Sequence, residues 1–373
     1  VMSYTGAGDP YQVSDARGSV TTFSYNLRRE PTGSVTTATT VDGAAQTIDP
    51  AMEYDNNRNA YKKIDALGRY AESTFSATGK LLTTRHSALP GVDLVTNEYE
   101  DRDLLWKTTN VLNQTTTFTH DAASRVSDAD DHLERNTHTE KDDDGRPLSV
   151  RNALNKTSTT EYLDDARQTK SRNPLNQEWT LQTDAAGNLT HRTNARSKTW
   201  VHAYDEGGRL ETTTSPENRI SSATWNTRGL LATATEPSLQ STTLTYDARG
   251  RLDDVTGADY ALDHAYDANG SLLTLTETTA AFGARSVGRT YDEVNRVKTY
   301  TNAEGETLKY VWDENGNLRF LEYPDTSRVE YVYDTRDRLQ YVKEAGVTMA
   351  EFVWTIANQL KKIIRANGTV REL

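Results

Sequence analysis

Short stretches in which polar and apolar residues alternate recur along the chain, as in Thr243-Leu244-Thr245-Tyr246 and Thr307-Leu308-Lys309-Tyr310. A period of two places successive side chains on opposite faces of a β-strand. The stretches share one punctuation mark. At Tyr246-Asp247-Ala248-Arg249-Gly250-Arg251-Leu252 an aromatic residue is followed by Asp, two loose positions, Gly, Arg and an aliphatic residue. Asp at the first corner of a turn hydrogen-bonds its own backbone two residues on. Gly three residues later accepts the left-handed φ that closes a hairpin loop as a type I turn plus bulge.

The mark repeats at a fixed step. Tyr204, Trp225 and Tyr246 stand 21 residues apart, as do Tyr291, Trp312, Tyr333 and Trp354. Stepping back from Tyr204, the slots fall at Thr183, Tyr162, Lys141, His120 and Tyr99, then at Phe75 and Tyr54, with weaker members at Tyr25 and Tyr4. Eleven residues after each slot a polar turn recurs, as at Asn152-Ala153, Asn173-Pro174, Ser215-Pro216 and Asn302-Ala303. Each repeat therefore predicts strand, Asp/Gly turn, strand, polar turn. The residues expected to build the Asp/Gly turns include Tyr204, Asp205, Gly208, Arg209 and Leu210, then Tyr246, Asp247, Gly250, Arg251 and Leu252. Trp312, Asp313, Gly316, Asn317 and Leu318, with Tyr333, Asp334, Arg338 and Leu339, complete the clearest set.

These spacings predict an all-β chain of about seventeen hairpin repeats in one array over 1–373. Repeats 54–373 are regular, whereas 1–53 are weaker and carry an enlarged loop near 32–49, where the step widens to 29. Further surplus length falls at Leu89-Pro90-Gly91 and Ala280–Gly288. Two strands per repeat make a sheet roughly 160 Å wide, which curled once has a diameter of roughly 50 Å. Sheets of that breadth twist and curl, so a curved or spiral wall around a space is expected.

The windows at Tyr204, Tyr246 and, more loosely, Trp312 and Tyr333, on a step near 21, resemble YD repeats of the RHS family. That family includes bacterial Rhs polymorphic toxins, shell-forming components of insecticidal toxin complexes and the extracellular barrels of teneurins. The resemblance implies a spiral of β-hairpins forming a hollow shell. In the bacterial members that shell encloses a C-terminal toxin until delivery. It implies as partners an encapsulated polypeptide or neighbouring shell segments. It also implies a location that is secreted, cell-surface, or cytoplasmic before delivery by a bacterial secretion system. The segment after Trp354 lacks the aspartyl self-cleavage core that precedes the toxin in such members, so a piece of a larger shell, or a repeat segment built separately, is expected, without toxin or core domain. No catalytic residue carries over.

Composition changes the picture in two ways. Hydrophobic residues make up 35% of the chain, yet it holds 19 Tyr and 6 Trp. That combination suits a sheet with a thin apolar layer better than disorder or a packed globule. A formal charge of −12 disfavours nucleic acid and acidic membrane surfaces as partners. No apolar run is long enough to span a bilayer, and the absence of Cys excludes disulfides and thiolate metal sites.

Candidate chemistry is sparse. The turn Asp and Gly residues are explained by turn formation. The Arg slot (Arg125, Arg146, Arg167, Arg209, Arg251, Arg296, Arg338) is explained by pairing with neighbouring turns, each exposed pair contributing about 0–1 kcal/mol. Asp142, Asp143 and Asp144 form an acidic patch within 121–165, where twelve acidic residues face six basic ones. This is a solvated face or an acidic lumen patch that attracts a basic cargo. An EF-hand loop through Glu140, Asp142 and Asp144 places Arg151 where a bidentate Glu is required, and the set at Asp313, Asn315 and Asn317 places Leu318 where Gly is required. The seven His residues are scattered, and neither a zinc motif nor a phosphate loop is present. No catalytic residue, metal or cofactor is therefore expected. Trp200, Trp225, Trp312 and Trp354 are candidates for an aromatic ladder that packs the sheet, or alternatively a platform for carbohydrate. The leading expectation is a non-catalytic wall that encloses a polypeptide. The alternative is an extracellular carbohydrate- or protein-binding module.

Overall fold

The computed structural model describes residues 1–40, 43 and 45–373. They form 36 β-strands and one 3-10 turn, Asp164–Ala166, with no α-helix among the described residues. The pairings are antiparallel and join strands that are neighbours in sequence, except that Pro31–Thr39 also meets Ala51–Tyr54 at Gly33↔Ala51. Thr199–Tyr204 pairs with Leu210–Thr214, which in turn pairs with Ile220–Trp225. Thr, Val, Tyr and Leu alternate along these strands, and branched or aromatic side chains fit a pleated surface. At each Asp/Gly turn the register slips by one residue just before the aromatic slot, as between Ala203 and Tyr204 and between Val311 and Trp312. That slip is the bulge expected from a type I turn closed by a left-handed residue.

A sheet one layer thick buries little. Among the described residues only Ala38 and Val311 are buried apolar side chains. The accessible surface is 22549 Å², whereas a compact monomer of this mass exposes about 15,000 Å². The strands are accordingly held by backbone ladders and turn chemistry more than by a core.

The stretch 32–49, expected as an enlarged loop, is mostly strand. Pro31–Thr39 runs for nine residues and pairs with Ala45–Ile48 from Thr36↔Ile48 to Thr39↔Ala45. Val35-Thr36-Thr37-Ala38 alternates exposed and buried, so its β-branched residues extend the hairpin. Residues 41, 42 and 44, within that expected loop, lie outside the described residues. The surplus near 280–288 likewise lengthens two strands, Leu272–Thr279 and Gly283–Tyr291.

The chain divides into two compact units. The first comprises Val1–Thr115, His264–Thr276 and Arg285–Leu373, and the second comprises Thr116–Asp263 and Glu277–Ala284. In the second unit successive hairpins pair in sequence order. The first unit adds contacts between its N-terminal and C-terminal hairpins, described below.

Candidate functional site

The Asp/Gly turn is a closed hydrogen-bonded ring. In Asp205–Leu210 the Gly208 N–H donates to the Asp205 carbonyl (2.9 Å) and the Asp205 N–H to the Arg209 carbonyl (2.9 Å). One Asp205 carboxylate oxygen accepts the N–H groups of Gly207 and Arg209, and the other accepts Arg209 Nε at 2.8 Å. Asp247 with Arg251 and Asp334 with Arg338 repeat this arrangement. At Asp313 the amide of Asn317 replaces the guanidinium, donating at 2.9 Å. Gly250 supplies the left-handed residue at φ 83°, whereas Asp337 occupies that position at φ 57°. The Arg209 guanidinium holds the Asp205 carboxyl below its ordinary value. At Asp247 and Asp334 burial pushes the carboxyl up, but the hydrogen bonds together outweigh it and both are lowered. The turn Asp thus spends its acceptor capacity on its own loop.

The aromatic slot does something that its apolar character does not announce. Tyr204 Oη donates to the Leu189 carbonyl (2.9 Å), Trp225 Nε1 to Leu210 (3.0 Å) and Tyr246 Oη to Leu231 (2.9 Å). Trp312, Tyr333 and Trp354 reach Val297, Leu318 and Leu339 in the same way. The acceptor is always the aliphatic residue that closes the preceding Asp/Gly turn. Lys141, an apparent exception at an aromatic slot, donates Nζ to the Val126 carbonyl at 2.8 Å. The slot therefore demands reach plus a terminal donor. Tyr, Trp and Lys share that property, and it was the missed signal in the sequence.

Arginines tie several turns to the next. Arg296 and Arg338 donate Nη1 to the carbonyls of Asp313 (2.7 Å) and Thr355 (2.9 Å), and the Arg338 guanidinium lies 5.7 Å from the Trp354 ring centre. Arg125 donates likewise to Asp142 (2.9 Å). Arg167 departs from its expected slot. The turn there slides by one residue, Arg167 takes the left-handed position at φ 49°, and its N–H closes on the Asp164 carbonyl. With Leu163 where Asp is required and no Gly, the ring cannot form in the usual register.

Within the first unit, polar turns near the N-terminus meet Asp/Gly turns about 250 residues later in a continuous polar seam. The Ala16 N–H donates to Asn269 Oδ1 (2.9 Å), Asn269 donates to Asp15, and Arg17 donates to Asn295. The Thr39 N–H donates to Glu293 (2.6 Å), and Gln46 bridges Arg296 and the Trp312 carbonyl. Asn315 donates to both Asp65 (2.7 Å) and Asp337 (3.0 Å), and Arg69 joins Asp65 to Asp337. Burial raises the Asp65 carboxyl, but the bonds from Asn315 and Arg69 leave it below its ordinary value. The extra hairpin at 31–48 supplies the Thr39 and Gln46 contacts.

The remaining candidates do not converge. Asp142 is the ring residue of its turn, bonded to Arg146, while Asp144 is exposed and 3.5 Å from the same guanidinium. Arg146 also reaches Asp164. Among the described residues no group of three or more His, Asp or Glu is placed to hold a metal ion. Trp225, Trp312 and Trp354 are engaged in the cross-repeat bonds, and Trp200 carries Arg192 at 4.7 Å from its ring centre. No helix among the described residues is long and apolar enough to cross a membrane.

Two family models match this pattern of turns: RHS repeat over residues 184–220 and teneurin YD-shell over residues 219–352. Residues 184–352 of the chain are thus similar to RHS and YD repeats. Solved structures similar to this chain include a TcdB2-TccC3-Cdc42 crystal structure, with TM-score 0.73 and 13% identity over 98% of this chain and 24% of the other. A Tc holotoxin pore of Photorhabdus luminescens bearing a TccC3 mutation gives TM-score 0.72 and 13% identity over 98% and 24%. TcdB2-TccC3 without its hypervariable C-terminal region gives TM-score 0.72 and 13% identity over 99% and 25%. The chain spans about a quarter of the length of these solved chains. No curated protein matches the sequence.

Proposed function

We propose that this chain is a non-catalytic wall segment that, within a larger shell, screens a polypeptide cargo from solvent and proteases. The cross-repeat bond from the donor-bearing slots, Tyr204, Trp225, Tyr246, Trp312, Tyr333 and Trp354 among them, to the preceding turn carries this reading. It recurs along the chain, and each turn Asp is turned inward onto its own loop, so the repeated residues build a surface instead of a reactive centre. The mechanism is steric exclusion by a self-hydrogen-bonded sheet. A delivered or secreted toxin-type parent fits the family. Carbohydrate binding is the weaker reading, because three of the four candidate Trp residues direct their polar edge into the wall.

The test uses the full-length protein that carries this segment. An enclosed polypeptide is expected to resist protease at concentrations that digest it once released by denaturation. Equal digestion rates before and after release would refute the wall reading.

A further inference from the structure

Arg285, Arg296, Arg328, Arg336 and Arg338 of the C-terminal hairpins are each held by a carboxylate or a carbonyl, whereas Arg289 buries a guanidinium nitrogen without one. It stands on Gly283–Tyr291, directly across from Tyr300 on Val297–Thr301, with its guanidinium carbon 5.4 Å from the Tyr300 ring centre. Its Nη1 is buried and finds no acceptor among the described residues. A charged donor withdrawn from water without a partner is unfavourable, and a planar guanidinium is shaped for two-point contact with a carboxylate.

The surroundings are aromatic and contiguous. Tyr300 pairs with Leu308, and Tyr310 lies two residues further on the same face, stacked on Trp312 with ring centres 6.3 Å apart. Tyr310 pairs with Leu321, which places Tyr323 on that face as well. Burial raises the Tyr310 phenol, Tyr300 and Tyr323 add to the rise, and Arg289 opposes it, which places all four groups within electrostatic reach of one another. Val297–Thr301 and Thr307–Trp312 are paired on both edges, so a ligand meets this face through side chains and not by adding a strand there.

We propose that Arg289, flanked by Tyr300, Tyr310 and Tyr323, is a docking point for a single carboxylate side chain of a polypeptide lying across these hairpins, with adjacent apolar side chains seated on the tyrosine rings. The choice of a polypeptide as occupant rests on the wall reading above. The charge pattern selects the chemistry. The Arg289 cation attracts an isolated carboxylate, whereas a densely anionic polymer is repelled by the rest of a chain of net charge −12. The rings offer apolar faces of the size of a Phe or Leu side chain.

The folded chain is titrated with Ac-Phe-Glu-Phe-amide and Ac-Phe-Gln-Phe-amide at pH 7, followed by intrinsic fluorescence. The Glu peptide is expected to bind about tenfold more tightly, the size of one charge-assisted bond. R289Q should reduce it to the affinity of the Gln peptide, R289K should keep only part of the preference, and R196Q, on an exposed turn of the second unit, should change nothing. Hydrogen exchange on the unmodified chain supplies a readout that does not depend on a variant folding. The Glu peptide should slow exchange across 287–291 and 299–301. Equal affinities, a preference that survives R289Q, or slowing elsewhere overturns the proposal, and tighter binding of oligogalacturonate than of the Glu peptide overturns the polypeptide assignment. Protease protection in the full-length protein is read separately. Lost peptide preference with retained protection removes this site and leaves the wall standing.

Discussion

Replacing Tyr246 by Phe removes one oxygen atom and leaves the ring. Tyr246 Oη donates to the Leu231 carbonyl at 2.9 Å, and both residues lie in the second unit, on Ser241–Tyr246 and Leu231–Thr235. A hydrogen bond of this kind contributes about 0.5–1.5 kcal/mol net. In a repeat array stability is the sum of local and nearest-neighbour terms, so the loss should stay local. A deficit of about 1 kcal/mol raises the local opening constant about fivefold. Hydrogen exchange followed by mass spectrometry should therefore show about fivefold faster exchange in Leu231–Thr235, Ser241–Tyr246 and Leu252–Thr256. Strands three or more hairpins away should be unchanged. Lys141→Met should act the same way on Val126–Asp130, since it keeps length and loses the donor. Phe75→Tyr should slow exchange around Ala60–Ile64, because Ala60 occupies the acceptor position fifteen residues back. If Tyr246→Phe leaves exchange unchanged, or accelerates it uniformly along the chain, the cross-repeat bond does not hold neighbouring hairpins together.

Leu239 sits exposed in the left-handed region at φ 64°, so Leu239→Gly should stabilise its hairpin by about 1 kcal/mol, measured as a higher local protection factor. Destabilisation would refute the strain assignment. Asn315→Asp removes a donor to Asp65 and Asp337 and adds a third carboxylate, so it should cost at least about 1.5 kcal/mol in the first unit. Pairing it with Asp65→Asn should recover much of that loss, and no recovery would argue against the seam geometry. Acid should weaken the array. Asp131 is held at about 2 by the Arg135 guanidinium, below its ordinary carboxyl value, so its contribution is complete above about pH 4 and is lost as pH falls through 2. Asp205, Asp247 and Asp334 are depressed in the same direction. The urea midpoint should fall between pH 5 and pH 3, and a flat or rising midpoint would contradict the turn electrostatics.

The sequence by itself determined the hairpin, its 21-residue step and the chemistry of its Asp/Gly turn. These depend on residues within seven positions of one another, and Asp247, Gly250 and Arg251 carry their roles in their own side chains. The cross-repeat bonds were only half legible. A Tyr or Trp is visible at the slot, but its partner is a backbone carbonyl, which every residue possesses and no letter marks. Lys141 shows that the requirement was a donor at a given reach, whereas the pattern displayed only aromaticity. The stretch 32–49 reads as a loop because it breaks the period, although its Thr and Val residues are strand formers. Only the tertiary structure decided the seam that sets Asp65 and Arg69 against Asn315 and Asp337, and the isolation of Arg289 among tyrosines. Contacts across about 250 residues depend on twist and inserted length accumulated over many hairpins, and a difference too small to mark any one repeat changes which turns finally meet.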